Sequence, residues 1–157
     1  MVPATITGWA RRFWQGSPDH RGTPTAPGRV VTLVSQPGAS CMGVCFEIAP
    51  EHLDEALKRL DHREKAGYER HLVNARTADG EIIRDAITYV AAEGNEDYLG
   101  PATYSEMAAQ IVKSVGPSGT NLEYVMALHE SLLKLGANDT HLRTLATHVE
   151  ELTGNLR

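Results

Sequence analysis

A chain of 157 residues, 41% of them hydrophobic, is the size of one domain with a single core. A net charge of −5 repels nucleic acid and anionic membranes in bulk, and the longest apolar runs, Cys41 to Ile48 and Ala86 to Ala92, fall far below the roughly 18 residues that span a bilayer. The opening Met1-Val2-Pro3-Ala4-Thr5 has neither the basic start nor the apolar stretch of a secretory signal, so the expectation is a soluble, cytoplasmic protein.

Thr5 to Trp14 reads as a first strand, rich in β-branched and aromatic residues. Its Arg11 and Arg12, with Arg21 and Arg29 further on, interleave with Trp9, Phe13 and Trp14 in a way that suggests RNA binding. The plainer account has these arginines pairing with carboxylates of an acidic domain, and no nucleic-acid partner is expected. Pro18 to Gly28 breaks regularity with three prolines and two glycines. Within it Ser17, Asp19 and His20 superficially resemble a hydrolase triad, but neighbours this close seldom converge, and His20 and Arg21 are expected to fix the loop by hydrogen bonds.

Val30 to Val34 and Cys41 to Ile48 read as strands separated by the Pro37-Gly38 turn signal, hence an antiparallel hairpin. Cys41 and Cys45 stand four apart in that second strand, about 13 Å at roughly 3.3 Å per residue, too far for a disulfide. They also lack metal-site spacing, so reduced thiols are expected. Pro50 starts a helix whose Leu53, Ala56, Leu57 and Leu60 share one stripe. Gly67 is expected to end that helix by permitting a left-handed backbone, and Tyr68 to Arg76 and Ile82 to Ala92 form a second hairpin around Asp79-Gly80.

Beyond Glu93-Gly94-Asn95 the pattern turns helical. Thr103 and Glu106 frame a capping box for a helix to about Val115, and Thr120 and Glu123 frame another for a helix to about Leu135, stopped by Gly136. Asp139 or Thr140 caps a last helix to about Leu152. Strands first and helices later imply an α+β domain, with a mainly antiparallel sheet curled into a partial barrel and C-terminal helices.

The most informative residue is Glu64, in Arg63-Glu64-Lys65-Ala66-Gly67-Tyr68, where the first helix runs into a glycine. Carbonyls at a helix end disfavour an anion beside them, which suits an acid that takes and returns a proton; the plainer alternative is a Glu64 that pairs with a nearby arginine. Gly116-Pro117-Ser118-Gly119 precedes a helix N-terminus whose free N–H groups suit a carboxylate, or is an ordinary interhelical turn. Asn121 and Tyr124 follow it and either line a pocket or, for Asn121, support the cap. Tyr98 is either a hydroxyl donor to a ligand or a buried structural tyrosine. No histidines show metal-binding spacing, so neither metal nor organic cofactor is expected.

Taken in order, the stretch from Arg11 to Leu33, the Glu64 motif, Asp97-Tyr98-Leu99-Gly100-Pro101 and the stretch from Gly116 to Tyr124 resemble the ChaC-type γ-glutamylcyclotransferases over nearly the whole chain. The resemblance implies a γ-glutamylcyclotransferase-like fold, glutathione as substrate, release of 5-oxoproline and Cys-Gly, and Glu64 as general acid/base. In one respect the chain departs from the family. The Tyr-Gly-Ser-Leu motif of the usual first strand, whose loop cradles the γ-glutamyl group, has no counterpart before Gly8-Trp9-Ala10. The expectation is a sheet with a vacant edge where a second copy can pair. Two functions follow: an active cyclotransferase, or an impaired γ-glutamyl-ligand binder or interaction protein on the same scaffold.

Overall fold

The computed structural model describes residues 1–65 and 67–154; Ala66, inside the Glu64 motif, lies outside the described residues. Two compact units emerge, each drawn from two stretches of chain. The first comprises Met1–Ala10 with Leu33–Glu96, the second Arg11–Thr32 with the chain from Asp97 onward. Two long strands, β1 (Val2–Ser17) and β2 (Gly28–Cys45), contribute residues to both. With β3 (Tyr68–Thr77) and β4 (Ile82–Ala91) they form a four-stranded sheet ordered β2-β1-β3-β4, in which β1–β3 and β3–β4 are antiparallel. The α+β class stands, with an open sheet edged by β2 and β4.

The expected hairpin at Pro37-Gly38 is replaced by one continuous strand, β2. The reason lies in the strand's position. On a sheet edge the missing N–H of Pro37 costs no ladder bond, and Gly38, at φ 81°, takes up the irregularity where Ser35 to Gly38 are all exposed.

In the first unit the β3–β4 hairpin forms as its sequence predicts. Tyr68 faces Ala91 and Arg76 faces Ile82, and the register slips between Val73 and Ala75. At the slip the Asn74 side-chain oxygen accepts the Asp85 N–H at 3.2 Å and Asp85 takes a φ of 52°, the signature of a bulge whose polar residues satisfy the unpaired backbone. The turn closes with Gly80 N–H on the Thr77 carbonyl and Thr77 N–H on the Glu81 carbonyl, each at 3.0 Å.

Before the hairpin, a 3₁₀ turn (Pro50–His52) leads into α1 (Leu53–Arg63). The expected stripe is only weakly sheltered. Ala56, Leu57 and Leu60 are half-buried, Leu53 is exposed, and no side chain of α1 is fully buried.

The second unit carries α2 (Tyr104–Lys113), a short ribbon of β5 (Val115–Gly116) and β6 (Gly119–Thr120), α3 (Asn121–Lys134) and α4 (Thr140–Gly154). Both capping boxes form: Thr103 and Glu106, and Thr120 and Glu123, exchange side-chain and backbone hydrogen bonds at 2.9–3.2 Å. Asp139 opens α4 by accepting the Leu142 N–H at 2.9 Å, and it also pairs with Arg11. The core joins Phe13 to Met107 and Ile111 of α2, Val125 of α3, and Leu142, Leu145 and Val149 of α4. Burial of each such side chain contributes about 1.5–3 kcal/mol.

Arg29 is nearly buried; its Nε donates to Gln110 Oε1 at 2.6 Å and its Nη1 to the Phe13 carbonyl at 2.9 Å. Burial lowers its pKa, while the Glu106 carboxylate opposes that shift. Arg12 lies 5.8 Å from the centre of the Trp14 ring. Cys41 is buried, Cys45 is half-buried, and both are free thiols.

Candidate functional site

Glu64 is the C-cap residue of α1, with φ −93° and ψ 13°. Its N–H donates to the Leu60 carbonyl at 2.9 Å and its own carbonyl accepts the Tyr68 N–H at 3.3 Å, so the backbone is fixed on both sides of the side chain. The residue is half-exposed, and among the described residues no hydrogen bond or ion pair engages its carboxylate. Flanking Arg63 and Lys65 are exposed.

Gly67 accounts for the glycine of the motif on two grounds. Its φ is +89°, and a β-carbon there would lie 2.4 Å from Cγ of Asn95. Its carbonyl accepts the Ala92 N–H at 2.9 Å, which ties the end of the α1 segment to the end of β4.

One turn before Glu64, Asp61 reaches the neighbouring hairpin. Its Oδ1 accepts the Tyr89 hydroxyl at 2.6 Å and its Oδ2 accepts from the Arg70 guanidinium. Arg70 and Tyr89 are cross-strand partners of β3 and β4. The Arg70 hydrogen bond, then that of Tyr89, holds the Asp61 carboxyl below its usual pKa. Tyr89 is shifted upward, by desolvation and then by its bond to Asp61.

The remaining residues singled out from the sequence belong to the second unit. Ser118 and Tyr124 line one surface concavity together with Arg21, Glu123, Ala127, Leu128 and Ser131. Ser118 is exposed; its N–H donates to the His20 carbonyl at 2.9 Å and its hydroxyl meets His20 Nδ1 at 3.1 Å. Gly119, at φ +111°, keeps the wall thin, since a β-carbon would stand 2.8 Å from Glu123 Oε2 and 3.0 Å from Arg21 Nη1. The Tyr124 hydroxyl accepts the Val31 N–H at 3.3 Å, and the Arg21 guanidinium sits 5.5 Å from the centre of its ring.

Asn121 and Tyr98 lie elsewhere in this unit. Asn121 is fully buried and spends its side-chain amide on the backbone of Arg29. Tyr98 is half-buried in an antiparallel bridge with Gln15, beside Leu99 and Gly100, whose N–H groups both donate to the Trp14 carbonyl at 2.8 and 3.1 Å.

Two groove residues escaped the sequence reading. Arg21, expected to pair with a carboxylate or to fix its loop, does hold the loop, through N–H to Ser17 Oγ at 2.9 Å and Nη1 to the Thr120 carbonyl at 3.2 Å, yet it also faces the concavity. Glu123 was assigned only to its cap, where the Thr120 backbone and then its hydroxyl lower the carboxyl pKa, with a smaller contribution from Arg21. No short-range pattern links Arg21 to the turn near Ser118, far along the chain. Ser17 is buried and accepts from the Arg21 backbone, while His20 turns to Ser118, so no triad assembles on Ser17.

A family model described as ChaC-like protein matches residues 1–152. Gamma-glutamylcyclotransferase 2-3 of Arabidopsis thaliana is 39% identical over 158 residues, covering 96% of this chain and 79% of that protein. Glutathione-specific gamma-glutamylcyclotransferase 1 of Homo sapiens is 38% identical, covering 92% of this chain and 67% of that protein. The crystal structure of a selenomethionine-labelled γ-glutamyl cyclotransferase specific to glutathione, from yeast, superposes with a TM-score of 0.89 at 30% identity, covering 96% of this chain and 87% of that one. With motifs, sequence and fold in agreement along almost its full length, the chain belongs to the ChaC-like family.

Proposed function

We propose that the protein is a γ-glutamylcyclotransferase, a lyase that converts glutathione to 5-oxoproline and Cys-Gly, with Glu64 as its general acid/base. The observation that carries this reading is 39% identity across 96% of the chain to a protein named for the activity. The half-exposed, unengaged Glu64 carboxylate supports the residue assignment.

In a γ-glutamyl amide the α-amine attacks its own γ-carbonyl. A new C–N bond closes the five-membered lactam and the C–N bond to Cys-Gly breaks. Glu64 removes a proton from the attacking nitrogen and delivers it to the leaving nitrogen, so one carboxylate serves both steps and is regenerated. The nucleophile is part of the substrate, so the protein's task is conformation and proton transfer rather than activation of a side chain.

The second unit, taken by itself, carries candidate ligand-binding groups. Ser118 and Tyr124 supply hydroxyls, Arg21 supplies a cation for a carboxylate, and Gly119 keeps the wall thin between them. Tyr98 offers a further phenol. Asn121 acts by fixing the backbone beneath, not by touching ligand. We place the protein in the cytoplasm, a reading supported by its free cysteines and by the absence, among the described residues, of any helix long and apolar enough to cross a membrane. Recovery of the native protein only with the membrane fraction would refute that placement.

The test follows 5-oxoproline and Cys-Gly released from glutathione by the full chain and by Glu64→Gln. A loss in kcat of about 10²–10⁴ is expected for the variant. Full turnover by Glu64→Gln would remove the acid/base role, and stoichiometric glutathione binding without product from the unaltered protein would point to a binder.

A further inference from the structure

We infer that Asp61, held by Tyr89 and Arg70, is the positioning residue for Glu64, latching the last turn of α1 to the β3–β4 hairpin; the inference rests on Glu64 being the acid/base. Three observations lead there. First, α1 has little else to hold it. It contains no fully buried side chain, Leu53 is 40% exposed, and apart from Asp61 the salt bridge found in it among the described residues, Arg59 to Glu55, spans 4.0 Å within the helix itself. A helix with so shallow an apolar anchorage depends on its polar contacts for orientation.

Second, the latch engages two strands at once. Tyr89 donates to one oxygen of the Asp61 carboxylate at 2.6 Å and Arg70 donates to the other, while Arg70 and Tyr89 face each other across the β3–β4 ladder. Two donors fixed to a paired register define both the distance and the rotation of the carboxylate they hold. Third, Asp61 lies three residues before Glu64, nearly one helical turn, so a shift at Asp61 is passed to Glu64 through the helix backbone. The Glu64 N–H is itself bonded to the Leu60 carbonyl, next to Asp61.

The contact is partly open to solvent, with side-chain exposures of 39% for Arg70 and 48% for Asp61. Its contribution to global stability is therefore small, and its consequence is geometric. Proton transfer depends steeply on placement, so loosening the mount lowers turnover more than it lowers the melting temperature.

The experiment compares Tyr89→Phe, Asp61→Asn, their double variant and Glu64→Gln in the full chain, with steady-state glutathione turnover, pH profiles, thermal melts and amide exchange. Tyr89→Phe is expected to lower kcat about tenfold, to leave KM within about twofold, and to keep the positions of the pH limbs, since no charge changes. The double variant falls little further than Asp61→Asn alone, because both act through one contact. Exchange of the Glu64 and Tyr68 amides quickens in Tyr89→Phe while the melting temperature stays within a few degrees. Unchanged kcat in both Tyr89→Phe and Asp61→Asn, beside an inactive Glu64→Gln, overturns the positioning role and leaves the acid/base reading intact. Full activity in Glu64→Gln overturns both.

Discussion

Asn121 brackets the backbone of Arg29: its Oδ1 accepts the Arg29 N–H at 2.6 Å and its Nδ2 donates to the Arg29 carbonyl at 2.7 Å. The pair reproduces with a side chain what a neighbouring strand would supply, and it pins the start of β2 to the start of α3. Both groups are buried, so Asn121→Ala strands a donor and an acceptor without water. A loss of about 2–4 kcal/mol follows, read as a lower urea midpoint at unchanged slope. A loss below about 0.5 kcal/mol would mean that the bracket is not holding this backbone.

The fold is expected to weaken in mild acid because of His141. Its Nε2 accepts the Phe13 N–H at 3.3 Å and its Nδ1 meets the Tyr104 hydroxyl at 3.3 Å, an arrangement for the neutral ring. Burial lowers its pKa to about 4; Arg12 and Arg11 act in the same direction, and Asp139 opposes them. The unfolded chain takes up the proton near pH 6.5, before the folded one, so stability is full above that pH, declines toward about pH 4 and levels off below. The total reaches at most about 3 kcal/mol. Urea melts at pH 7, 5 and 4 are expected to show a smaller decline in His141→Gln than in the unaltered chain, and parallel declines would refute the assignment.

Gly67→Ala places a β-carbon against Asn95 at a φ of +89°. About 1–3 kcal/mol of destabilisation is expected from the backbone strain, together with loss of turnover, since Gly67 stands three residues from Glu64. Calorimetry and the 5-oxoproline assay measure the two effects separately. A stable Gly67→Ala with full activity would show that the turn tolerates a side chain.

Replacing Arg21 by Met keeps much of the stem that lies over Tyr124 and removes the cation. If this cation binds a glutathione carboxylate, KM rises about tenfold or more with kcat nearly unchanged. Equal falls in kcat and kcat/KM would move Arg21 from ground-state binding to the transition state.

The features legible in the sequence were those whose causes lie within a few residues. Thr103 with Glu106, and Thr120 with Glu123, need nothing beyond their own turn to form a capping box, and both form it. Asp79-Gly80 likewise closes its hairpin locally, whereas α1 stops earlier than Gly67 implies, at Arg63 with Glu64 as its C-cap, and Gly67 supplies the positive-φ turn just before β3. Pro37-Gly38 misled because its meaning depends on where the strand lies in the sheet: the same dipeptide that reverses a chain elsewhere is absorbed on an exposed edge. Glu64 stands out in the sequence through its motif. The groove beside Ser118 was found only in part, because Arg21 reaches it from a loop nearly a hundred residues away in sequence. Nor does a sequence reveal that Asn121 points inward, or that Asp61 meets Tyr89 across the gap between a helix and a strand.

The interleaved make-up of the two units has a temporal side. By the time Glu96 leaves the ribosome every residue of the first unit exists, whereas the second holds its early segment, Arg11–Thr32, in waiting for helices that begin at Tyr104. Phe13 and His141, 128 positions apart, meet only once the chain has grown into α4. At about 5–20 residues per second, that interval is on the order of ten seconds. For its duration Phe13, which ends at the centre of a core, is bare apolar surface on a nascent chain, and the order of synthesis makes the helical unit the last to close.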